Sequence, residues 1–268
     1  MRFQIGVGNN SKVVNSYLHV MQRHYWEKIA PSYNEEIFDV LQNDKKKFIV
    51  SAIKKIASPS KTVLDAGCAI GKWLPVLSPL FKQVTAADIS AKNLAIAKKS
   101  YPDYTNVIYV RSDMSATKTQ LATYDVAICI NAVLSASLKK RVVFFHNLAA
   151  CLKNDGHLIL VVPSLESWLL TRILQNKWKI DNQLFKETLN CKEAIARYKN
   201  IQQGNAEIDS VPTKHYLKEE LIHLLAHEQL EVQECKKIEY AWTTEFSKPP
   251  RWLKEPGPWD WMILAKKR

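Results

Sequence analysis

The chain has 268 residues, 47% of them hydrophobic, enough for one large domain or for a domain carrying an insertion. Its formal net charge of +12 raises a nucleic-acid partner, but the excess is spread as +4, +6 and +2 over residues 1–60, 61–163 and 164–268, which argues against a dedicated basic arm. No apolar run approaches the roughly 18 residues of a membrane span, no secretory leader is evident, and Cys68, Cys129, Cys151, Cys191 and Cys235 lack metal or C-x-x-C spacing, so a cytoplasmic protein with reduced thiols and no metal is expected.

Along the chain, Tyr17, Val20, Met21, Tyr25, Ile29, Ile37 and Leu41 recur at three- and four-residue spacings, predicting two helices over 12–42 broken at Pro31-Ser32. A further amphipathic helix is expected over 44–57, with Ser58-Pro59-Ser60 as the turn that follows. The apolar run Val63-Leu64-Asp65-Ala66 then enters Gly67-Cys68-Ala69-Ile70-Gly71, and the chain returns as Val84-Thr85-Ala86-Ala87-Asp88-Ile89. This is the strand, loop, helix and second strand of a βαβ unit. Only 7 glycines occur in the chain, and two of them fall in this one loop. Such a loop aims unpaired backbone N–H groups above the sheet, and glycine lets a ligand approach without meeting a Cβ. Asp88, at the tip of the adjacent strand, is placed to accept two hydrogen bonds from a ribose diol.

Ala91 to Ser100 predicts a helix and Asn106 to Val110 a third strand, leaving through Arg111-Ser112-Asp113-Met114. Tyr124 to Ile130 is apolar apart from Asp125 near its start, as a central parallel strand buried on both faces should be. It exits through Asn131-Ala132-Val133-Leu134. A helix over Leu138 to Leu152, stopped by Asn154-Asp155-Gly156, leads to a fifth strand from His157 to Val162. This density of strand–helix repeats predicts a doubly wound α/β sheet. After Pro163 the rhythm breaks. Trp168, Leu169, Ile173, Leu174 and Trp178 suggest one helix and Phe185 to Tyr198 another, with no βα unit expected before about residue 211. Leu217 to His227 predicts a helix, and Glu231 to Tyr240 and Trp259 to Ala265 two strands. The Pro-rich segment 248–258 between those strands cannot continue either, which predicts an antiparallel pair.

Val-Leu-Asp-Ala-Gly-Cys-Ala-Ile-Gly resembles the glycine-rich first motif of the class I S-adenosylmethionine-dependent methyltransferases, and Ala-Asp-Ile-Ser their ribose-binding second motif. Ala69 departs from the family, which most often has a middle glycine there. The dinucleotide pattern G-x-G-x-x-G fits less well, because position 72 is Lys. The resemblance implies a mainly parallel seven-stranded sheet with an antiparallel terminal strand, and S-adenosylmethionine as cofactor. It assigns Asp65, Gly67, Cys68, Ala69, Gly71, Asp88 and Ile89 to cofactor binding. It adds Asp113 for the adenine amino group, Met114 for the ring face, and Asn131 from the fourth motif beside the acceptor gap. Tyr25 and Tyr33 resemble the aromatic residues of an N-terminal lid helix; packing of that helix on the sheet edge is the alternative. Asp113 could instead cap a helix.

The expected organisation is a helical lid over 1–60, a cofactor-binding core over 61–163, a helical insertion over 164–214 and a completion of the sheet over 215–268. The insertion reads equally as a substrate cap walled by Trp168, Trp178, Phe185 and Tyr198, or as a structural flap. Methyl transfer needs alignment and exclusion of water more than a base, so none of the seven histidines is singled out and no catalytic residue is assigned. No Asn-Pro-Pro-Tyr run follows Ile130, which counts against methylation of exocyclic base amines. The expected partner is a small molecule. RNA or protein methylation, a non-catalytic methyltransferase-like module and a nicotinamide oxidoreductase remain as alternatives.

Overall fold

The computed structural model describes residues 23–117, 119–184, 190–208 and 211–268. Short pieces open it: α1 (Arg23–Ile29), a 3-10 turn at Ala30–Ser32, α2 (Tyr33–Glu36), α3 (Val40–Asn43) and α4 (Phe48–Ile56). Pro31 sits in the turn, where its missing N–H costs no helix bond. The part of the expected first helix before residue 23 lies outside the described residues.

The core follows as β1 (Thr62–Ala66), α5 (Leu74–Leu77), β2 (Gln83–Asp88), α6 (Ala91–Ser100), β3 (Val107–Arg111), β4 (Tyr124–Ile130), α7 (Leu138–Ala150) and β5 (Leu152–Pro163). Beyond it come α8 (Leu165–Asp181), α9 (Cys191–Gln202), the strands β6 (Asn205–Ile208) and β7 (Val211–Lys214), α10 (Lys218–His227), β8 (Leu230–Glu239) and β9 (Trp259–Lys267). Seven strands form one sheet in the order β3-β2-β1-β4-β5-β9-β8. The first five are mutually parallel, and β9 runs antiparallel to both β5 and β8. The doubly wound sheet with its antiparallel strand is therefore as expected. Among the described residues no helix is long and apolar enough to cross a membrane.

The β4 run explains the layering. Ala127 and Cys129 point into one cluster with Phe145 and Leu148 of α7 and Leu221 and Leu225 of α10. Val126 and Ile128 point into the other, with Ile49 and Ile53 of α4 and Leu74 and Leu77 of α5. Past Asp125 at its entry, the strand is buried on both faces and has no polar position to spare, so its sequence shows no alternation.

Three expectations need correction. The α7 helix ends at an ordinary right-handed Cys151, not at a glycine stop; the left-handed residue is Asp155, at φ 62°. Residues 152–156 instead form an irregular entry to β5, where a Cβ on Gly156 would meet the Lys153 carbonyl at 2.8 Å. The second helix of the insertion starts at Cys191, capped by Asn190, and Phe185 lies outside the described residues. The insertion is also not purely helical, because β6 and β7 pair antiparallel as a two-stranded sheet of their own.

Candidate cofactor and acceptor cleft

The loop after β1 is built from left-handed backbone: Gly67 at φ 84°, Ala69 at 47° and Gly71 at 81°. Gly67 and Cys68 donate their N–H groups to the Ala87 carbonyl at 2.8 and 3.0 Å, which folds the loop against the end of β2. The Ala69 N–H donates to Asp88 Oδ2 at 3.0 Å, and the Ser90 N–H to Asp88 Oδ1 at 2.8 Å. Asp88 thus ties the loop to the start of α6 while remaining on the cleft wall. Burial raises its carboxyl above the ordinary range, and these backbone hydrogen bonds oppose that rise.

Asp65 lies beneath the loop, 2% exposed, and its Oδ2 has no hydrogen-bond partner among the described residues. Burial, reinforced by the nearby Asp88, pushes its carboxyl up to about 8. An unpartnered acid in this place suits a ligand that brings its own N–H donors or positive charge. Cys68 is buried, donates to the Ala69 carbonyl at 3.7 Å, and is held as a thiol by burial. Gly71 does not line the cleft. A Cβ there would meet Leu74 at 2.8 Å and Ala97 at 3.1 Å, so its role is to let the loop pack on α5 and α6.

Two chambers open above the C-terminal edge of the parallel strands. The first, about 100 Å³, is lined by Asp88, Ile89, Ser112, Asp113, Met114 and Phe144. Asp113 is exposed, and its Oδ1 accepts from the Ser115 N–H at 2.8 Å and the Ser115 hydroxyl at 2.7 Å. This is a side-chain turn; it caps no helix. Met114 is buried beside it, and Asn147 of α7 braces its carbonyl at 2.9 Å.

The second chamber, about 230 Å³, continues from the first across Trp26, Tyr33, Gly67, Ala69 and Asn131, which line both. Its walls come from the N-terminal segment, from the insertion and from the β8–β9 end of the sheet. Tyr25 borders it, edge-on to Trp26 at 5.1 Å. Burial raises the Tyr33 phenol well above its usual value, and Lys72, paired to Asp39 at 2.8 Å, stands over the Tyr33 ring at 5.8 Å. The N-terminal segment is anchored twice more. Glu27 accepts the Ala91 and Lys92 N–H groups at the start of α6, and Phe38 packs edge-on against Tyr240.

Of the aromatics expected in the insertion, Trp168 lines the second chamber. Trp178 packs against Phe246, Tyr198 is 65% exposed, and neither borders the cleft.

Asn131 adopts φ 49°, and that turn sends its Nδ2 to Asp260 Oδ2 at 3.0 Å. The Tyr240 hydroxyl donates to the same oxygen at 2.8 Å. Sequence reasoning missed Asp260, although one acid at the head of the apolar run Trp259 to Ala265 was a visible signal. It also gave His215 no role. That ring is 4% exposed and donates Nδ1–H to the Thr213 carbonyl at 3.0 Å; burial lowers it to about 4, so it is neutral near pH 7. Trp26, in the same aromatic stretch as Tyr25 and Tyr33, borders both chambers.

Residues 63–156 match the family model described as a methyltransferase domain. No curated protein is similar to the chain in sequence. A solved S-adenosylmethionine-dependent methyltransferase from Anabaena variabilis is 14% identical, with a TM-score of 0.60 over 92% of this chain and 93% of that one. The magnesium protoporphyrin IX methyltransferase of a Synechocystis species, with bound S-adenosylhomocysteine, is 15% identical, with a TM-score of 0.56 over 92% and 98%. A further S-adenosylmethionine-dependent methyltransferase, from Methanosarcina mazei, is 17% identical, with a TM-score of 0.54 over 80% and 96%. Residues 63–156 thus match a methyltransferase domain, and the chain as a whole has the fold of the class I S-adenosylmethionine-dependent methyltransferases.

The state of Asp65 has a measurable consequence. Its folded value of about 8 lies above the ordinary 3.8, so the stability it contributes is full at low pH and is lost as pH rises towards 8. A bound ammonium group favours the carboxylate instead. Below pH 8, S-adenosylhomocysteine should therefore bind with release of a proton, its affinity rising up to about tenfold per pH unit and levelling off above that. Calorimetry at pH 6 in two buffers of different ionisation enthalpy reads the proton directly. Asp65→Asn should abolish the release; an unchanged release in the variant places the proton elsewhere.

Proposed function

We propose that the chain transfers the methyl group of S-adenosylmethionine to a small-molecule acceptor. What carries the proposal is the continuity of the two chambers at Gly67, Ala69 and Asn131. A donor held at the Asp88 and Asp113 end faces an aromatic-walled space that can hold a second molecule. The residues fit the cofactor: Asp88 and Ile89 border the ribose place, Asp113 and Met114 the adenine place, Asn131 Oδ1 is unpartnered on the cleft wall, and Asp65 Oδ2 is unpartnered beneath the loop. When bound, the cofactor would supply a sulfonium methyl whose carbon an aligned acceptor attacks in line, the acceptor–carbon bond forming as the S–C bond breaks and its electron pair returns to sulfur.

The residues of the chain align the acceptor and exclude water. Tyr25, Trp26 and Tyr33 act as a lid over one side of the cleft and residues 164–214 as a cap over the other, with Trp168 as the cap's aromatic contact. The core at 61–163 and the completing strands at 215–268 hold the frame. A small acceptor is favoured over RNA because in the acceptor chamber Lys72 is paired to Asp39 and Arg172 is drawn against the Trp168 ring, while in the first chamber Arg141 is bonded to the Ser135 and Ala136 carbonyls.

The test follows a radiolabelled methyl group from S-adenosylmethionine into cell extract separated into small-molecule, RNA and protein fractions. Label in the small-molecule fraction is the expected result, and label confined to RNA or protein overturns it. Trp168→Ala should lower that transfer at least tenfold while leaving S-adenosylhomocysteine affinity within twofold. Full transfer by the variant would reduce the insertion to a flap.

A further inference from the structure

The acceptor half of the cleft has a charge character opposite to that of the chain. Asp39, Glu207, Glu245 and Asp260 border it, against Lys72 and Arg172, although the whole chain carries +12. Both cations are engaged: Lys72 with Asp39, and Arg172 with the Trp168 ring at 5.3 Å and with Gln175. Deepest among the acids is Asp260, 9% exposed.

Its two oxygens are used differently. Oδ2 accepts from Asn131 Nδ2 at 3.0 Å and from the Tyr240 hydroxyl at 2.8 Å, which fixes the carboxyl plane. Oδ1 has no hydrogen-bond partner among the described residues, and no cation pairs with the group, although Asp260 lines the cleft. A carboxylate buried without a countercharge is costly unless a ligand supplies one. The surrounding acceptors and rings point the same way. Asn131 Oδ1 is buried and unpartnered, the neutral His215 has its Nδ1–H committed to Thr213 and so presents Nε2 as an acceptor, and Trp26, Phe38 and Trp168 line the same chamber with aromatic rings.

The position assigns the carboxylate to the acceptor and not to the donor. Asp260 pairs with Pro163 at the end of β5, and β5 lies between β9 and β4. Asp260 therefore stands two strand spacings, about 10 Å, from the strand that ends in Asn131 and further still from the β1 loop and Asp88. The Asn131 side chain, swung out by its left-handed backbone, bridges the gap.

We propose that Asp260, oriented by Asn131 and Tyr240, is the acceptor-binding carboxylate of this site, and that the acceptor is an amine that enters as its ammonium ion. This deepens the methyltransferase reading above and rests on it. The ammonium pairs with Asp260 Oδ1 while its carbon skeleton lies against the tryptophan and phenylalanine rings. To become a nucleophile the nitrogen gives one proton to Oδ1 and keeps the lone pair. Burial already raises the Asp260 carboxyl, which suits it to receive that proton. The proton leaves to solvent when the product departs, so no oxidant or reductant is needed. In this arrangement Asp260 touches substrate, and Asn131 and Tyr240 are positioning residues.

Three probes of one shape separate the charges: phenethylamine, 2-phenylethanol and 3-phenylpropionate, each titrated calorimetrically into protein saturated with S-adenosylhomocysteine. Phenethylamine should bind at least tenfold more tightly than either of the others. Asp260→Asn, which keeps the acceptor oxygen for Asn131 and Tyr240, should remove that preference and leave S-adenosylhomocysteine affinity within twofold. Tyr240→Phe should weaken phenethylamine by severalfold without reversing the order of the probes. Binding of 3-phenylpropionate in preference to the amine, no binding of phenethylamine at all, or an undiminished amine preference in Asp260→Asn overturns the proposal. If wild-type protein fails to bind S-adenosylhomocysteine, the methyltransferase reading falls first, and that outcome is distinct from loss of the amine preference alone.

Discussion

Asp88→Ala is expected to weaken S-adenosylhomocysteine binding by about ten- to a hundredfold, or about 1.5–3 kcal/mol, through loss of charge-assisted bonds to a ribose diol. The structure adds a second effect. Asp88 also receives the Ala69 and Ser90 N–H groups and lies 3.4 Å from Asn93 Nδ2, so alanine strands these buried donors. Leaving such donors unsatisfied costs about 1–3 kcal/mol of stability. Asp88→Asn separates the two contributions, because its remaining oxygen still accepts one backbone bond. Its urea midpoint should lie between wild type and alanine, while affinity falls nearly as far as in alanine. Calorimetry and urea unfolding on the same preparations check both. Unchanged affinity in Asp88→Ala would remove the residue from the site.

Gly67→Ala should do more damage to the fold than any other substitution in the loop. Gly67 sits at φ 84°, and a Cβ there would lie 2.4 Å from Ala132 Cβ. The backbone strain and the overlap together should cost about 2–4 kcal/mol and push the loop off the β4 exit, taking cofactor affinity with it. The opposite change nearby is the control. Ala69 holds a left-handed φ of 47° with a side chain in place, so Ala69→Gly should raise stability by up to about 1 kcal/mol. Urea midpoints for the pair should move in opposite directions. Movement in the same direction would mean that the loop is not held in this conformation.

What could be read from the sequence was what repeats. Apolar strands such as the one carrying Val126 to Ile130, and the Gly67 to Asp88 unit, are dictated by burial on both faces and by the βαβ rhythm, so the sheet and the place of the loop followed directly. The β6–β7 pair could not be seen in the same way. Its strands are four residues long, one carries Pro212, and neither shows enough alternation to stand out from a helical neighbourhood. Gly71 shows the limit of motif reasoning: its glycine is required by packing on α5 and α6, and the spacing alone does not tell that from ligand approach. Asp155 in a left-handed conformation is a similar case, since Asn154-Asp155-Gly156 is equally consistent with a helix stop and with an irregular strand entry.

The acceptor half of the site was the least legible part. Asp260, Tyr240, His215 and Trp168 come from four separate stretches of chain and meet only because β9 inserts beside β5 and the insertion folds back over it. No local spacing encodes that meeting. The first chamber, in contrast, is built on the β1 loop and the tips of β2 and β3, so Asp88, Ile89, Asp113 and Met114, named together from the sequence, line one space.

The central claim is that the cleft above β1, β2 and β4 takes S-adenosylmethionine. Calorimetric titration of the wild-type protein with S-adenosylhomocysteine and, separately, with NAD tests it most directly. The account predicts saturable one-to-one binding of S-adenosylhomocysteine, competed by S-adenosylmethionine, and no heat with NAD. Saturable binding of NAD with none of S-adenosylhomocysteine would contradict it.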